Sequence, residues 1–103
     1  MHTMPSTGAR VVDPDGQHVG TVSDIYADPR TLEPQWAVVT FGLFHNKHRV
    51  VPTAYLHPAA DRPDELLVDM NREACRHAPE VGSHEPLTPE LERRLQDYYG
   101  LSA

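Results

Sequence analysis

Residues 11–28 read VVDPDGQHVGTVSDIYAD, and their turn formers and β-branched residues set the fold. Asp-Pro-Asp-Gly, residues 13–16, is a turn signal. Pro14 presets its φ angle, and Gly16 can take positive φ without steric cost. The apolar run before the turn, residues 9–13, and the run after it, residues 17–27, then pair as a β-hairpin. The second run does not alternate cleanly. Val19, Thr21, Ser23 and Ile25 share one face of an ideal strand; Gly20, Val22, Asp24 and Tyr26 share the other. A bulge or bend near Gly20 shifts the register and lets Val19, Val22 and Ile25 share a core. Strongly coiled strands in small barrels use such bends. The stretch specifies a backbone shape and carries no catalytic constellation.

Working outward, residues 27–35 form a polar connection with two prolines. WAVVTFGLF, residues 36–44, is the most hydrophobic stretch. Both its faces are largely apolar, which is the pattern of a central strand. HNKH, residues 45–48, is a turn. RVVP, residues 49–52, begins the return strand, which Pro52 limits. Residues 54–65 are mixed and loop-like, with a short strand near Tyr55. LLVDM alternates, placing Leu66, Val68 and Met70 on one face. Five to six short strands with turns between them give a mainly β domain, a small barrel or sandwich. It spans residues 9–78, after a polar, disordered tail over residues 1–8.

Residues 79–103 change character, into a loop and a helix. LTPELERRLQDYYG, residues 87–100, starts a helix with Thr88 as N-cap and Pro89 at the first helical position. Leu91, Leu95 and Tyr98 or Tyr99 form an apolar stripe, and Gly100 is the stop. That stripe needs an apolar surface to cover, so the helix is expected to pack on the β domain.

The 103 residues suit one small domain. Folding at this size buries roughly 60–70% of the unfolded chain's surface, enough for one core. Asp and Glu total 15 against 9 Lys and Arg, for a net charge of −6. That balance argues against general nucleic-acid binding and against docking on anionic lipid. The seven histidines lower the negative charge as pH falls toward about 6. A single cysteine allows no internal disulfide and fits a reducing compartment. No apolar run approaches the ~20 residues of a membrane span, and residues 1–10 lack a signal-peptide core. The expectation is a cytoplasmic protein with no membrane span and no nucleic-acid partner.

Reactive side chains are scattered. His45 and His48 form H-x-x-H across a turn and are the weak metal candidates. A site needs three or four ligands, and no carboxylate or Cys stands near them in sequence, so exposed turn histidines are the favoured reading. Cys75 lies between Arg72 and Arg76 and beside His77, which would lower its pKa. No partner constellation surrounds it, so a small buried hydrophobe is favoured. Asp13, Asp15, Asp24 and Asp28 lack the EF-hand spacing and read as turn and strand-end residues. Trp36 reads as a core residue or an interface anchor. No cofactor is expected, and no nucleophile–base pair or carboxylate pair is readable, so catalysis ranks last.

The ordered set of residues 11–28, then PQWAVVTFGLF, HRVVP, LLVDM, APEV and LTPELERRLQDYYGL resembles a stand-alone PRC-barrel domain protein. The most specific block is DG..VG.V.D, followed by W.VV..G and R.VP. The resemblance covers residues 9–101. It implies a small, strongly bent β-barrel of five to six strands with a short C-terminal helix. It implies that Gly16 serves the first turn and Gly20 the bent strand. Asp24 would be a structural hydrogen-bond partner near a strand end, with Asp15, Trp36 and Pro52 in the same structural set. In the reaction-centre H subunit and in ribosome-maturation factors, such a barrel is an accessory or protein-binding module. This chain lacks the membrane helix of the first and the RNA-associated domain of the second, and fold alone does not transfer function. The expectation is a non-enzymatic interaction or assembly module with an unknown protein partner or a second copy of itself. Trp36, Phe41 and Phe44 would carry the contact. The alternative is a regulatory protein that binds a small molecule or a metal through His45 and His48.

Overall fold

The computed structural model describes residues 7–41, 47–59 and 62–100. Six strands run in chain order: β1 Arg10–Val12, β2 His18–Ala27, β3 Pro34–Phe41, β4 Lys47–Pro52, β5 Leu56–Ala59 and β6 Arg62–Val68. A single 3-10 turn, Thr53–Tyr55, joins β4 to β5. Two helices follow, α1 Arg72–Arg76 and α2 Pro89–Tyr99. The strands form one sheet in the order β4-β3-β2-β1-β6-β5. Neighbours are antiparallel except β1 and β6, which are parallel. The expected tail over residues 1–8 lies outside the described residues up to residue 6.

The sheet is mainly antiparallel and bent, but it does not close into a barrel, which corrects the expected architecture. Its ends are β4 and β5. The β4 edge is taken by a different segment. Arg49 bridges Glu80. The Val50 N–H donates to the Pro79 carbonyl at 3.0 Å, and the Val81 N–H donates to the His48 carbonyl at 2.9 Å. At the other end β5 has four residues, a register shift after Pro58, and no N–H at Pro58 itself. Four residues with one donor missing give too short a ladder to close the sheet on itself.

The bend comes from bulges in β2. Val11 faces Gly20 and Val12 faces His18, so Val19 is the extra residue against β1. Val22 faces Val39 and Asp24 faces Val38, so Ser23 is the extra residue against β3. Each bulge puts residues three apart on one face. Val19 and Val22 therefore join one buried cluster, and Ile25 packs against it. The expected bend near Gly20 is divided between its two sides. Gly20 has its own constraint: a Cβ there would stand 2.6 Å from the Thr40 carbonyl oxygen and 2.9 Å from the Phe41 Cβ. Gly20→Val is expected to cost about 2–3 kcal/mol by overpacking at the β2–β3 contact. Urea unfolding checks this, and a midpoint equal to wild type would contradict it.

The β3 strand is buried on both faces, as its composition requires. Ala37 and Val39 lie in the first cluster with Val11, Val51, Leu66 and Val68. Trp36 and Val38 lie in a second cluster with Tyr26, Val50, Val81, Leu91 and Leu95. Helix α1 adds Cys75 to the first, and α2 adds Leu91 and Leu95 to the second. The Thr88 Oγ1 accepts from the Leu91 N–H at 3.1 Å, and Gly100 ends α2 at φ 66°. Of the two candidate tyrosines, Tyr99 completes the stripe and Tyr98 faces outward. The Tyr99 ring stands 6.1 Å from Trp36, and its hydroxyl donates to the Val50 carbonyl. Among the described residues, no helix is long and apolar enough to cross a membrane.

Candidate functional site

The first turn does more than reverse the chain. Asp13 is 1% exposed. Its Oδ1 accepts from the N–H groups of Asp15 at 3.0 Å and Gln17 at 2.8 Å. Its Oδ2 accepts from the Arg72 N–H at 3.1 Å. Gly16 takes φ 82°, as the turn requires, and Asp15 points to solvent. The buried carboxylate thus ties the β1–β2 hairpin to the start of α1. An Asp that opens a turn commonly bonds the backbone two residues on. The contact to Arg72 spans 59 residues, and no local pattern announces it.

This tether fixes α1 against the end of the sheet and creates a cleft of about 510 Å³. Val19 and Phe41 supply its apolar lining. Lys47 and Arg49 enter from β4, and Arg72, Glu73, Arg76 and His77 from α1 and the residue after it. Four of the chain's nine lysines and arginines meet here, in a protein of net charge −6. The Arg49 Nη1 donates to the Ala78 carbonyl at 2.9 Å. Its Nε–H is buried and has no partner among the described residues. Glu73 bonds His77 Nε2 at 3.0 Å. That hydrogen bond, then the charge of His77, holds the Glu73 carboxyl below its ordinary value. Among the described residues, Lys47, Arg72 and Arg76 have no carboxylate within 4.0 Å. Beyond Arg72 and Arg76 the surface turns acidic, with Asp13 and Asp15 lining the adjoining hollow.

Cys75 sits behind this cleft and faces the first cluster, 2% exposed. Burial, with a smaller contribution from the charge of Asp13, pushes its thiol up to about 11. A thiol at that value is a weak nucleophile at neutral pH. Iodoacetamide is expected to alkylate native protein at pH 8 far more slowly than urea-unfolded protein, by mass spectrometry; equal rates would contradict the burial. The native thiol holds its proton to higher pH than the unfolded one. Its contribution to stability is therefore present below the ordinary thiol range and is lost as pH rises toward about 11.

The remaining sequence candidates disperse. His45 and Phe44 lie outside the described residues. His48 is half-buried in β4, with Nδ1 at 2.9 Å from Thr40 Oγ1. The Thr40 hydroxyl donates to Ser23 Oγ at 2.6 Å, and Ser23 donates to the Val38 carbonyl at 3.3 Å. This chain of hydroxyls stitches the Ser23 bulge to β3 and β4. Among the described residues, no three His, Cys, Asp or Glu side chains are placed to share a metal ion. Asp24 accepts from the Ile25 N–H at 2.9 Å, beside the bulge in the middle of β2 rather than at a strand end. Asp28 accepts from the Arg30 N–H at 2.8 Å in the β2–β3 loop.

Trp36 is 2% exposed under α2 and is a core residue. Pro52 pairs with it at the end of β4. Phe41 is half-buried and lines the cleft. Residues 36–41 therefore offer no edge to a second chain: β3 has β2 on one side and β4 on the other. The cleft itself was not read from the sequence, because Lys47 and Arg49 lie far along the chain from Arg72 and Arg76.

The family model described as PRC-barrel domain matches residues 7–73, which takes in all six strands and the first two residues of α1. The strap over β4 and the whole of α2 follow the matched segment. No curated protein matches the chain.

Proposed function

The chain belongs to the PRC-barrel domain family, and from that premise we propose that it is a non-catalytic interaction or assembly module of the cytoplasm. The observation that carries the reading is the unequal treatment of the two sheet ends. The β4 edge is occupied by residues 79–81. The β5 edge has β6 on one side and no strand on the other among the described residues. An edge of that kind accepts an added strand, whose main-chain hydrogen bonds give affinity. Pro58 has no N–H and the Leu56 N–H is held by the Thr53 carbonyl, so pairing there is short and the interaction reversible. A second copy aligned antiparallel on β5 would give a two-fold dimer, which is the assembly the protein can make alone.

The side chains support a binding role over a catalytic one. The Cys75 thiol is protonated and buried. Ser23 donates its proton to a carbonyl, and His48 bonds Thr40 rather than Ser23. The Thr40 hydroxyl gives its proton to Ser23 rather than to His48, and Ser23 gives its own to a carbonyl, so neither is set up as an activated nucleophile.

The test uses His57, an exposed β5 residue whose Nε2 lies 2.6 Å from Asp69 Oδ2. His57→Lys puts a cation beside Asp69 and a long charged chain on the edge. Sedimentation velocity and capture of partners from host lysate are compared for the two proteins. The reading expects an assembly in wild type that the variant loses at unchanged thermal midpoint. Wild type that stays monomeric and retains no partner, or a variant that assembles equally well, overturns it.

A further inference from the structure

We propose that the cleft between β4 and α1 binds a small organic phosphate. Arg72, Arg76 and Lys47 would hold the phosphoryl group, and Val19 and Phe41 would receive the apolar part of the ligand. This goes beyond the interaction reading, uses different residues, and stands or falls separately from it.

Charge carries the argument first. Lys47, Arg49, Arg72 and Arg76 bring four positive charges to one hollow whose one carboxylate among the described residues is Glu73. Glu73 is already bonded to His77. Gathering unpaired cations opposes folding through like-charge repulsion, and an acidic chain has carboxylates to spare for pairing them. At Arg30 and Arg62 it does pair them, with Asp28 and Glu65. In the cleft wall Lys47, Arg72 and Arg76 have no such partner among the described residues.

The chemistry of the donors comes next. Guanidinium groups present a planar fork of N–H donors that matches phosphate oxygens, and lysine adds a point charge. A surplus of three charges suits a phosphate dianion better than a lone carboxylate. The cleft, at about 510 Å³, has the size of a small-molecule site. Its lining joins polar groups to two apolar side chains, as an organic ligand with a charged head requires.

Size is limited by the surroundings. Asp13 and Asp15 line the hollow on the far side of Arg72 and Arg76. An extended polyanion leaving the cleft would meet the exposed Asp15 carboxylate, whereas a small phosphate stays among the cations. The chain's net charge of −6 opposes a long polyanion as well.

The experiment is a titration of ¹⁵N-labelled protein followed by amide shifts, with AMP, inorganic phosphate and a thymidine oligonucleotide as separate probes. Sodium chloride at matched ionic strength is the control. The expected result is saturable shifts for residues 47–49 and 72–77 with AMP, at a Kd of about 1 mM or below. Inorganic phosphate should shift the same amides more weakly, because it lacks the apolar part. The double variant Arg72→Ala, Arg76→Ala should weaken AMP binding at least about tenfold. It leaves the Arg72 backbone bond to Asp13 in place, and a dispersed spectrum shows that it folds. Four outcomes overturn the proposal: no saturable shift, a shift reproduced by sodium chloride, equal binding by the double variant, or tighter binding of the oligonucleotide than of AMP.

Discussion

Trp36→Ala is expected to destabilise the protein by about 3–5 kcal/mol, the usual cost of removing a buried large aromatic side chain. Trp36 is 2% exposed and sits among Tyr26, Val38, Val50, Leu91 and Leu95. The substitution opens a cavity between β3 and α2 and takes away the ring beside Tyr99. Domains of this kind have a total stability of roughly 5–15 kcal/mol, so the variant loses a large part of it. Urea unfolding followed by circular dichroism measures the loss. A Trp36 displayed as an interface anchor would behave differently, keeping its midpoint while the assembly weakened. Retained stability would therefore contradict the placement of α2 over this face.

Asp13→Ala is expected to cost about 3 kcal/mol, from a residue whose change alters little volume. Three backbone N–H groups, of Asp15, Gln17 and Arg72, lose one charged acceptor. Hydrogen bonds to charged groups contribute about 1.5–3 kcal/mol each, and water can replace part of the two in the turn. Asp13→Asn keeps a carbonyl oxygen for one side and turns an amide group toward the other donors. About half the loss is expected of it. Amide exchange separates the local from the global effect. In both variants the Arg72 amide should exchange faster, by more than the amides of β3. If Asp13→Ala unfolds at the wild-type midpoint, the tether between hairpin and α1 is not a stabilising element.

What the sequence made legible follows from how far each interaction reaches along the chain. The Asp-Pro-Asp-Gly turn, the doubly apolar β3 and the capped α2 are local patterns. Each sits where turn chemistry, periodicity and capping place it. The mismatch in β2, with apolar residues at 19, 22 and 25, correctly announced irregular pairing, but not that two bulges would share it. Barrel closure was misjudged because nothing within β4 shows that residues 79–81 will take its edge. Trp36 is the same kind of case: its core or interface character depends on whether a helix some fifty residues later covers it. The cleft needed the longest reach of all. Its cations come from β4 and α1, and α1 is held to the β1–β2 hairpin by a single bond from Arg72 to Asp13. His45 and Phe44 lie outside the described residues, so the H-x-x-H pair and that aromatic contact gain no structural account.

In the proposed assembly one end of the sheet is closed by the chain itself and the other receives a partner strand. Amide hydrogen exchange, measured on dilute and concentrated protein, tests it most directly. The Val50 and Val81 amides, bonded to Pro79 and His48, should be protected to the same degree at both concentrations. The His57 and Ala59 amides of β5 should exchange faster in dilute protein than in concentrated protein. Protection that instead grows at β4, or a β5 edge equally fast at both concentrations and unchanged by captured partner, would contradict the account.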